Sequence, residues 1–240
     1  MISVCMATYN GEKHLRKQLE SILSQLDFND EIIISDDNST DGTIAVIKAF
    51  NDQRIKVFRN NGKGVIQNFE NAILNSSGNY IFLSDQDDVW QENKVRSCMI
   101  DFYNNYDLVV SDCVVFDSDS CDVIISSYFN FVGARKGIVR NVIKNTYIGC
   151  CMAFTDKVKD KVLPFPKNLP MHDSWIGLIS EIYYNVKFNN EKLIRHRRHS
   201  SNASETGAKR GSSPILKKLK WRSFLCYNLV IHICKNFNKK

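Results

Sequence analysis

Residues 80–88, Tyr80-Ile81-Phe82-Leu83-Ser84-Asp85-Gln86-Asp87-Asp88, run from four strand-forming apolar residues straight into three carboxylates. A short apolar run bounded by polar residues reads as a buried strand, so the acids stand at its C-terminal end. The same grammar recurs upstream. Residues 2–7 form an apolar strand leading into Thr8-Tyr9-Asn10-Gly11, and Glu31–Ser35 forms another leading into Asp36-Asp37-Asn38-Ser39-Thr40-Asp41-Gly42. Arg54–Phe58 reads as a third strand of this half. Between them lie helix-period stripes: Leu15, Leu19, Ile22, Leu23 and Leu26; then Ile44, Ile47 and Phe50; then Ile66, Phe69 and Ile73. A further helix after Asp88 carries Val95, Met99 and Phe102 inward. Repeated β-α units of this length predict an α/β fold with a parallel sheet covered by helices on both faces. Right-handed crossovers bring the strand C-terminal ends to one edge, where ligands bind.

The second half is less regular. Strands are expected over Leu108–Phe116, Val123–Ser126 and Tyr147–Thr155, with a long connection around Gly133–Gly137. Residues 200–213 read as a loop or linker, and Pro214–Phe237 as a basic helix. With 43% hydrophobic and 24% charged residues in 240, the chain can bury a sizeable core, which excludes global disorder. No stretch reaches the length of apolar residues that a membrane-spanning helix needs, and the N-terminus lacks the basic region of a signal peptide. The eight cysteines include no CxxC pair and sit partly in apolar runs, so a reducing, cytoplasmic setting is expected rather than a disulfide framework or zinc ribbon. The net charge of +6 is uneven: residues 191–240 hold thirteen lysines and arginines against Glu191 and Glu205, while the body before them is acidic. A basic tail on an acidic body points to an anionic partner at the C-terminus.

The chemistry concentrates at the expected sheet edge. Carboxylates clustered after a buried strand suit Mg²⁺ or Mn²⁺, which take oxygen ligands and accept phosphate oxygens in the same shell. The plainer reading is that Asp87 or Asp88 caps the next helix. Asp36-Asp37 can hydrogen-bond a base or ribose, or can simply shape the turn that Asn38–Gly42 begins. No GxGxxG follows the first strand and no GxxxxGK[ST] loop is present, which disfavours nicotinamide cofactors and ATPases.

Taken in order, Ile2–Leu15, Asp30–Thr43, Gly62–Ala72, Tyr80–Trp90, Gly149–Phe154, His172–Trp175 and Arg197–Ser204 resemble glycosyltransferase family 2, the nucleotide-diphospho-sugar transferases of GT-A fold. The likeness covers about residues 1–204 and is greatest to the bacterial branch that assembles surface polysaccharides, rhamnosyltransferases included. It implies a Rossmann-like, mixed but mostly parallel sheet and a division into 1–204 (a nucleotide-sugar half 1–105 and an acceptor half 106–204) and a basic linker and helix, 205–240. By the same resemblance Tyr9 flanks the base, with Thr8 and Asn10 beside it. Asp36 or Asp37 binds base and ribose, and Asn68 lies near the donor. Asp85 faces ribose or sugar, Asp87 binds the metal, and Asp88 lies towards the donor sugar. Asp173 is the candidate general base or, on the plainer reading, a helix cap. His199 completes metal or diphosphate binding, with Arg197, Arg198 and Asn202 around it. His172-Asp173 departs from the Glu-Asp of many relatives, which alters the charge beside the base.

The implied reaction is an inverting, metal-dependent transfer of a sugar from a UDP- or dTDP-sugar to a glycan or lipid-linked acceptor. Its rivals are a sugar nucleotidyltransferase and a non-catalytic sugar-nucleotide or glycan-binding subunit. The tail mixes Lys217, Lys218, Lys220 and Arg222 with Trp221, Phe224, Leu225 and Leu229. That mixture suits peripheral contact with an anionic leaflet, or packing on its own domain or on a neighbouring subunit. Nucleic acid is not an expected partner, because the body is acidic and no nucleic-acid motif is present.

Overall fold

The computed structural model describes residues 1–199 and 215–237. Its first half follows the β-α reading: β1 (Ile2–Thr8), α1 (Glu12–Leu23), β2 (Glu31–Asp36), α2 (Thr43–Ala49), β3 (Ile55–Arg59), α3 (Val65–Leu74) and β4 (Tyr80–Asp85). β1 and β2 are buried along nearly their whole length because helices cover both sides of the sheet, which is why they read as continuous apolar runs. The stripe of α1 delivers Leu15, Leu19 and Ile22 to the core. β1 pairs in parallel with β2 and β4, with Thr8 opposite Asp36 and Ala7 opposite Asp85. This register brings three polar strand ends level at one edge.

The later elements are β5 (Val89–Trp90), α4 (Lys94–Tyr103), β6 (Leu108–Asp117), β7 (Val123–Ile125), α5 (Tyr128–Val132), α6 (Ile138–Ile143), β8 (Met152–Thr155), α7 (Asp156–Val162), α8 (His172–Tyr183), β9 (Val186–Arg198) and α9 (Ile215–Phe237). The strands of the described residues form one sheet in the order β3-β2-β1-β4-β8-β6-β9-β5, with β7 on β6. β8 runs antiparallel to both neighbours, β6 and β9 are parallel, and β5 closes antiparallel on β9. The sheet is therefore parallel in its nucleotide half and mixed beyond it.

Three expectations change. The strand foreseen over 147–155 is shortened, because Gly149–Cys151 makes a 3₁₀ turn before β8. That turn lies so close to α8 that a Cβ on Gly149 would stand 2.5 Å from His172 Nε2. The connection around residues 133–137 carries two short helices separated by Gly133 and Gly137, whose φ values of 70° and 138° suit glycine. Asp88 does not cap a helix; the chain forms β5 first, and Asn93 stands at the start of α4.

The C-terminal helix packs on the body. Leu225 and Leu229 are buried, the His232 ring meets Trp175 edge-on at 5.4 Å, and Lys161 reaches Asn236 at 2.7 Å. The eight cysteines are free, and five of them are buried. No helix among the described residues is long and apolar enough to cross a membrane.

Candidate active site

The polar strand ends open into a cleft of about 640 Å³. One wall is Thr8, Tyr9, Asp37, the Gly62–Val65 turn and Asn68; the floor is Asp85, Gln86, Asp87 and His196; the far wall is Tyr147–Gly149 and Met171–Asp173. A second hollow of about 820 Å³ adjoins it, sharing Tyr9, Gln86 and Asp87 and bounded by Asn10, Lys13, His14, Arg198 and His199.

On the first wall the two adjacent aspartates part company. Asp36 is buried and accepts from Thr8 Oγ1 (2.9 Å), Ser39 N (2.8 Å) and Ser39 Oγ (2.6 Å), so its carboxylate locks the β2–α2 loop and does not line the cleft. Asp37 does line it, steadied by Asn60 Nδ2 at 2.9 Å and Gly64 N at 2.8 Å. Asn10 takes up a left-handed conformation (φ 48°), and its amide oxygen accepts from Thr40 N, which places it in the second hollow. Tyr9 is held by a reciprocal pair with Gln86, its N–H donating to Oε1 and its carbonyl accepting from Nε2, both at 2.9 Å. The residue is left 56% exposed at the mouth of both hollows. Asn68 is buried on α3 and donates to Thr8 O at 3.0 Å, while its Oδ1 has no protein partner. An unsatisfied buried acceptor that lines a cleft is poised for a ligand's donor.

The floor is an acid–base cluster. Burial, with Asp88 and Asp87 beside it, pushes the Asp85 carboxyl well above the usual range. Asp88 is fully buried, and its Oδ1 receives His196 Nδ1 and Arg197 N, both at 2.9 Å. Burial alone would lower the His196 pKa, but Asp88 first, then Asp85 and Asp87, raise it to about 9. The imidazolium thus compensates the acids from below. Arg197 donates through Nε to Asp87 O at 2.8 Å and lies 4.7 Å over the Phe116 ring, so it braces the acidic turn without lining the cleft. His199 Nε2 meets Asp87 Oδ2 at 2.7 Å and stacks on His14.

Asp88→Ala removes one side of this buried pair and should cost about 3–5 kcal/mol, the usual penalty for stranding a buried charge. Urea denaturation measures it. A loss below about 1 kcal/mol would mean that the end of β9 does not depend on Asp88.

On the far wall, Asp173 lies in the first turn of α8, accepting from Asn145 Nδ2 at 3.1 Å and from Ser174 N. Burial raises its pKa to about 7. The neighbouring His172 is buried with neither ring nitrogen partnered; it stacks on Phe69 at 4.1 Å, and desolvation lowers its pKa to about 3. A neutral imidazole thus stands beside the carboxylate, with no second charge to perturb it.

Asp37, Asn68, Asp85, Asp87 and Asp173, drawn from four separate segments, line one cleft. Over residues 3–163 the chain matches the model of glycosyl transferase family 2. The chain belongs to glycosyl transferase family 2. A UDP-Glc:alpha-D-GlcNAc-diphosphoundecaprenol beta-1,3-glucosyltransferase of Escherichia coli is 29% identical to this family 2 chain over 175 residues, 69% of the chain and 64% of that protein. A dTDP-rhamnosyl transferase of Shigella flexneri is 34% identical over 124 residues, 48% of the chain and 39% of that protein. The chain therefore spans less than two thirds of either relative. A mannosyltransferase of Pyrobaculum calidifontis, solved with GDP-Man and Mn²⁺, superposes with a TM-score of 0.60 at 17% identity, over 99% of this chain and 64% of that one. The fold of this family 2 protein is accordingly the GT-A fold.

Sequence reading had not singled out His196, Gln86 or Asn145. His196 sits among the cations of the Arg195–His199 stretch; the alternation of β9, which turns His196 inward and Arg195 outward, is the signal that separates them. Asn202, expected beside His199, lies outside the described residues.

Proposed function

We propose that this chain transfers a sugar, with inversion, from a UDP- or dTDP-sugar to a hydroxyl of a glycan or lipid-linked acceptor in bacterial surface-polysaccharide assembly, working in the cytoplasm. The observation that carries the reading is that Asp37, Asp87 and Asp173 share one cleft, with the acids at its floor and the raised-pKa carboxylate on the wall opposite the nucleotide side. The relatives named above use nucleotide sugars, one of them with a diphosphoundecaprenol-linked acceptor.

In this reading Asp37 receives the base or ribose, Tyr9 flanks the base at the mouth, and Asn68 Oδ1 accepts a hydrogen bond from the donor. The residues present fit a divalent cation. Asp87 offers a carboxylate at the junction of both hollows with His199 against it, and Asp85 stands on the same floor. Asp87 and His199 would hold Mn²⁺ or Mg²⁺. The ion would supply Lewis-acid compensation for the departing diphosphate. The cluster of Asp85, Asp88, Cys150 and His196, whose ligand atoms lie within 4.8 Å of one another, is a poorer cation site, because Asp88 already holds the protonated His196 and a thiol is a soft ligand. Asp173 takes the proton of the acceptor hydroxyl. Its raised pKa keeps it basic enough to do so while still ionised above neutral pH.

A panel of UDP- and dTDP-sugars, tested for donor hydrolysis with Mn²⁺ or Mg²⁺, examines the reading directly. Release of nucleoside diphosphate from at least one member, abolished by EDTA, is expected. No release from any donor under any metal would defeat it.

His172 adds a second expectation. His172→Glu puts a second carboxyl beside Asp173, and because two buried carboxyls cannot both ionise freely the pair ionises only at higher pH. The acid limb of kcat/KM should then move to higher pH. An unmoved limb would show that another group sets it.

A further inference from the structure

Two helices outside the cleft carry apolar side chains that the transfer chemistry does not use. On α6, Val139 and Ile143 are 74% and 56% exposed. On α9, Leu225 and Leu229 go into the body while Leu219, Tyr227 and Val230 remain exposed. The last three fall at i, i+8 and i+11, a single stripe turned well away from the buried pair. The two helices touch, and the Arg222 guanidinium donates to the Ile143 carbonyl.

The charges that the two helices and their flanking segments carry are all positive, and the one acid shown at α6, Glu181 of α8, is occupied by Gly137 N and Asn141 Nδ2. No aspartate or glutamate occurs between Asp122 and Asp156, a stretch holding Arg135, Lys136, Arg140 and Lys144. None occurs after Glu205 either, where Lys217, Lys218, Lys220, Arg222, Lys235, Lys239 and Lys240 lie. Exposed aliphatic and aromatic side chains on helices whose own charges are all cationic are complementary to an anionic leaflet, which takes the apolar groups at the headgroup boundary and the cations at its surface. Self-association through this face would press like charges together. Because no described helix can span a bilayer, the contact lies in the membrane plane.

We infer that α6 and α9 together form one docking surface for an anionic lipid bilayer. This surface adjoins the far wall of the cleft. From Lys144 at the end of α6 to Ile148 in the cleft lining is four residues, at most about 14 Å of extended chain, and Asn145 between them donates to Asp173. Resting on the proposed transfer to a lipid-linked acceptor, the docking brings the headgroup of that acceptor to the side of the cleft where the base stands.

The full chain should co-sediment with phosphatidylcholine vesicles containing about 30% phosphatidylglycerol and not with phosphatidylcholine alone, and salt should weaken the binding. Arg135→Gln with Lys136→Gln, both exposed and both on the α6 side, should reduce partitioning roughly 25-fold, at about fivefold per cation. Tyr227→Asp with Val230→Asp on α9 should reduce it comparably, with both variants retaining the wild-type melting temperature and the wild-type rate of soluble-donor hydrolysis. Equal binding to neutral vesicles, absence of binding to anionic ones, or loss in the α9 variant with the α6 variant unaffected would each overturn the two-helix surface. So would a concentration-dependent dimer dissolved by the Tyr227→Asp, Val230→Asp pair, since the face would then belong to a second copy. If vesicle binding behaves as expected but no donor is ever hydrolysed, the transferase reading fails and the docking surface stands.

Discussion

Asp173→Asn should lower kcat for sugar transfer by about 10²- to 10⁴-fold, the range general-base removal commonly shows, while donor affinity stays within about twofold of wild type. The substitution suits the geometry. Asn retains the Oδ1 that accepts from Asn145 Nδ2 and Ser174 N, so the start of α8 keeps its hydrogen bonds and loses only the ability to accept a proton. The pH profile supplies an independent readout. Burial lifts the Asp173 pKa to about 7, and the working form is the carboxylate. Wild-type kcat/KM should therefore rise as pH approaches 7 from below and level off above it; in Asp173→Asn that limb should vanish. A variant with near-normal turnover and the same limb would reduce Asp173 to a helix-start residue.

Asp87→Ala should weaken donor binding in the presence of Mn²⁺ at least about 100-fold, because it removes a direct ligand, where even outer-shell changes cost 10- to 100-fold. Calorimetric titration with and without EDTA checks this. Without metal, wild type and variant should bind the donor with similarly low affinity, so the difference between them is the contribution of the ion. Asp87 also holds His199 at 2.7 Å, and the same substitution releases that imidazole from its partner. His199→Ala should accordingly lose part of the same metal dependence. Metal-dependent affinity that survives in Asp87→Ala would move the cation to other ligands.

The nucleotide half was legible because burial on both sheet faces writes itself into sequence as unbroken apolar runs. Ile2–Ala7, Glu31–Ser35 and Tyr80–Leu83 show it, each ending in the polar residues that became the cleft. β9 was not legible. Its Asn189-Asn190-Glu191 segment bulges where the register with β6 shifts and reads as a loop, although the strand runs on to Arg198. Which of Asp36 and Asp37 faces the cleft was left open by the sequence, and the place given to Asp88 beside the donor sugar is not the one it takes. Asp36 and Asp37 are chemically alike; the Thr8 hydroxyl and Ser39, brought together by the β1–β2 register, claim the first and leave the second in the cleft. Asp87 and Asp88 divide in the same way, since β9 reaches back across the sheet to bury Asp88 against His196 and Arg197. Such choices depend on tertiary partners, Thr8 at 28 residues from Asp36 and Arg197 at 109 from Asp88. Local propensity does not encode them.

In the proposed reading, carboxylates from β4 and its neighbours hold a cation and a sugar diphosphate in a single cleft. Anomalous diffraction from crystals grown with Mn²⁺ and UDP tests it most directly. One strong peak is expected beside the Asp87 carboxylate, between it and the diphosphate, with the uridine along Asp37 and the Gly62–Val65 turn. A peak instead within the Asp85–Asp88–Cys150–His196 cluster, or a nucleotide bound away from Asp87, would contradict it.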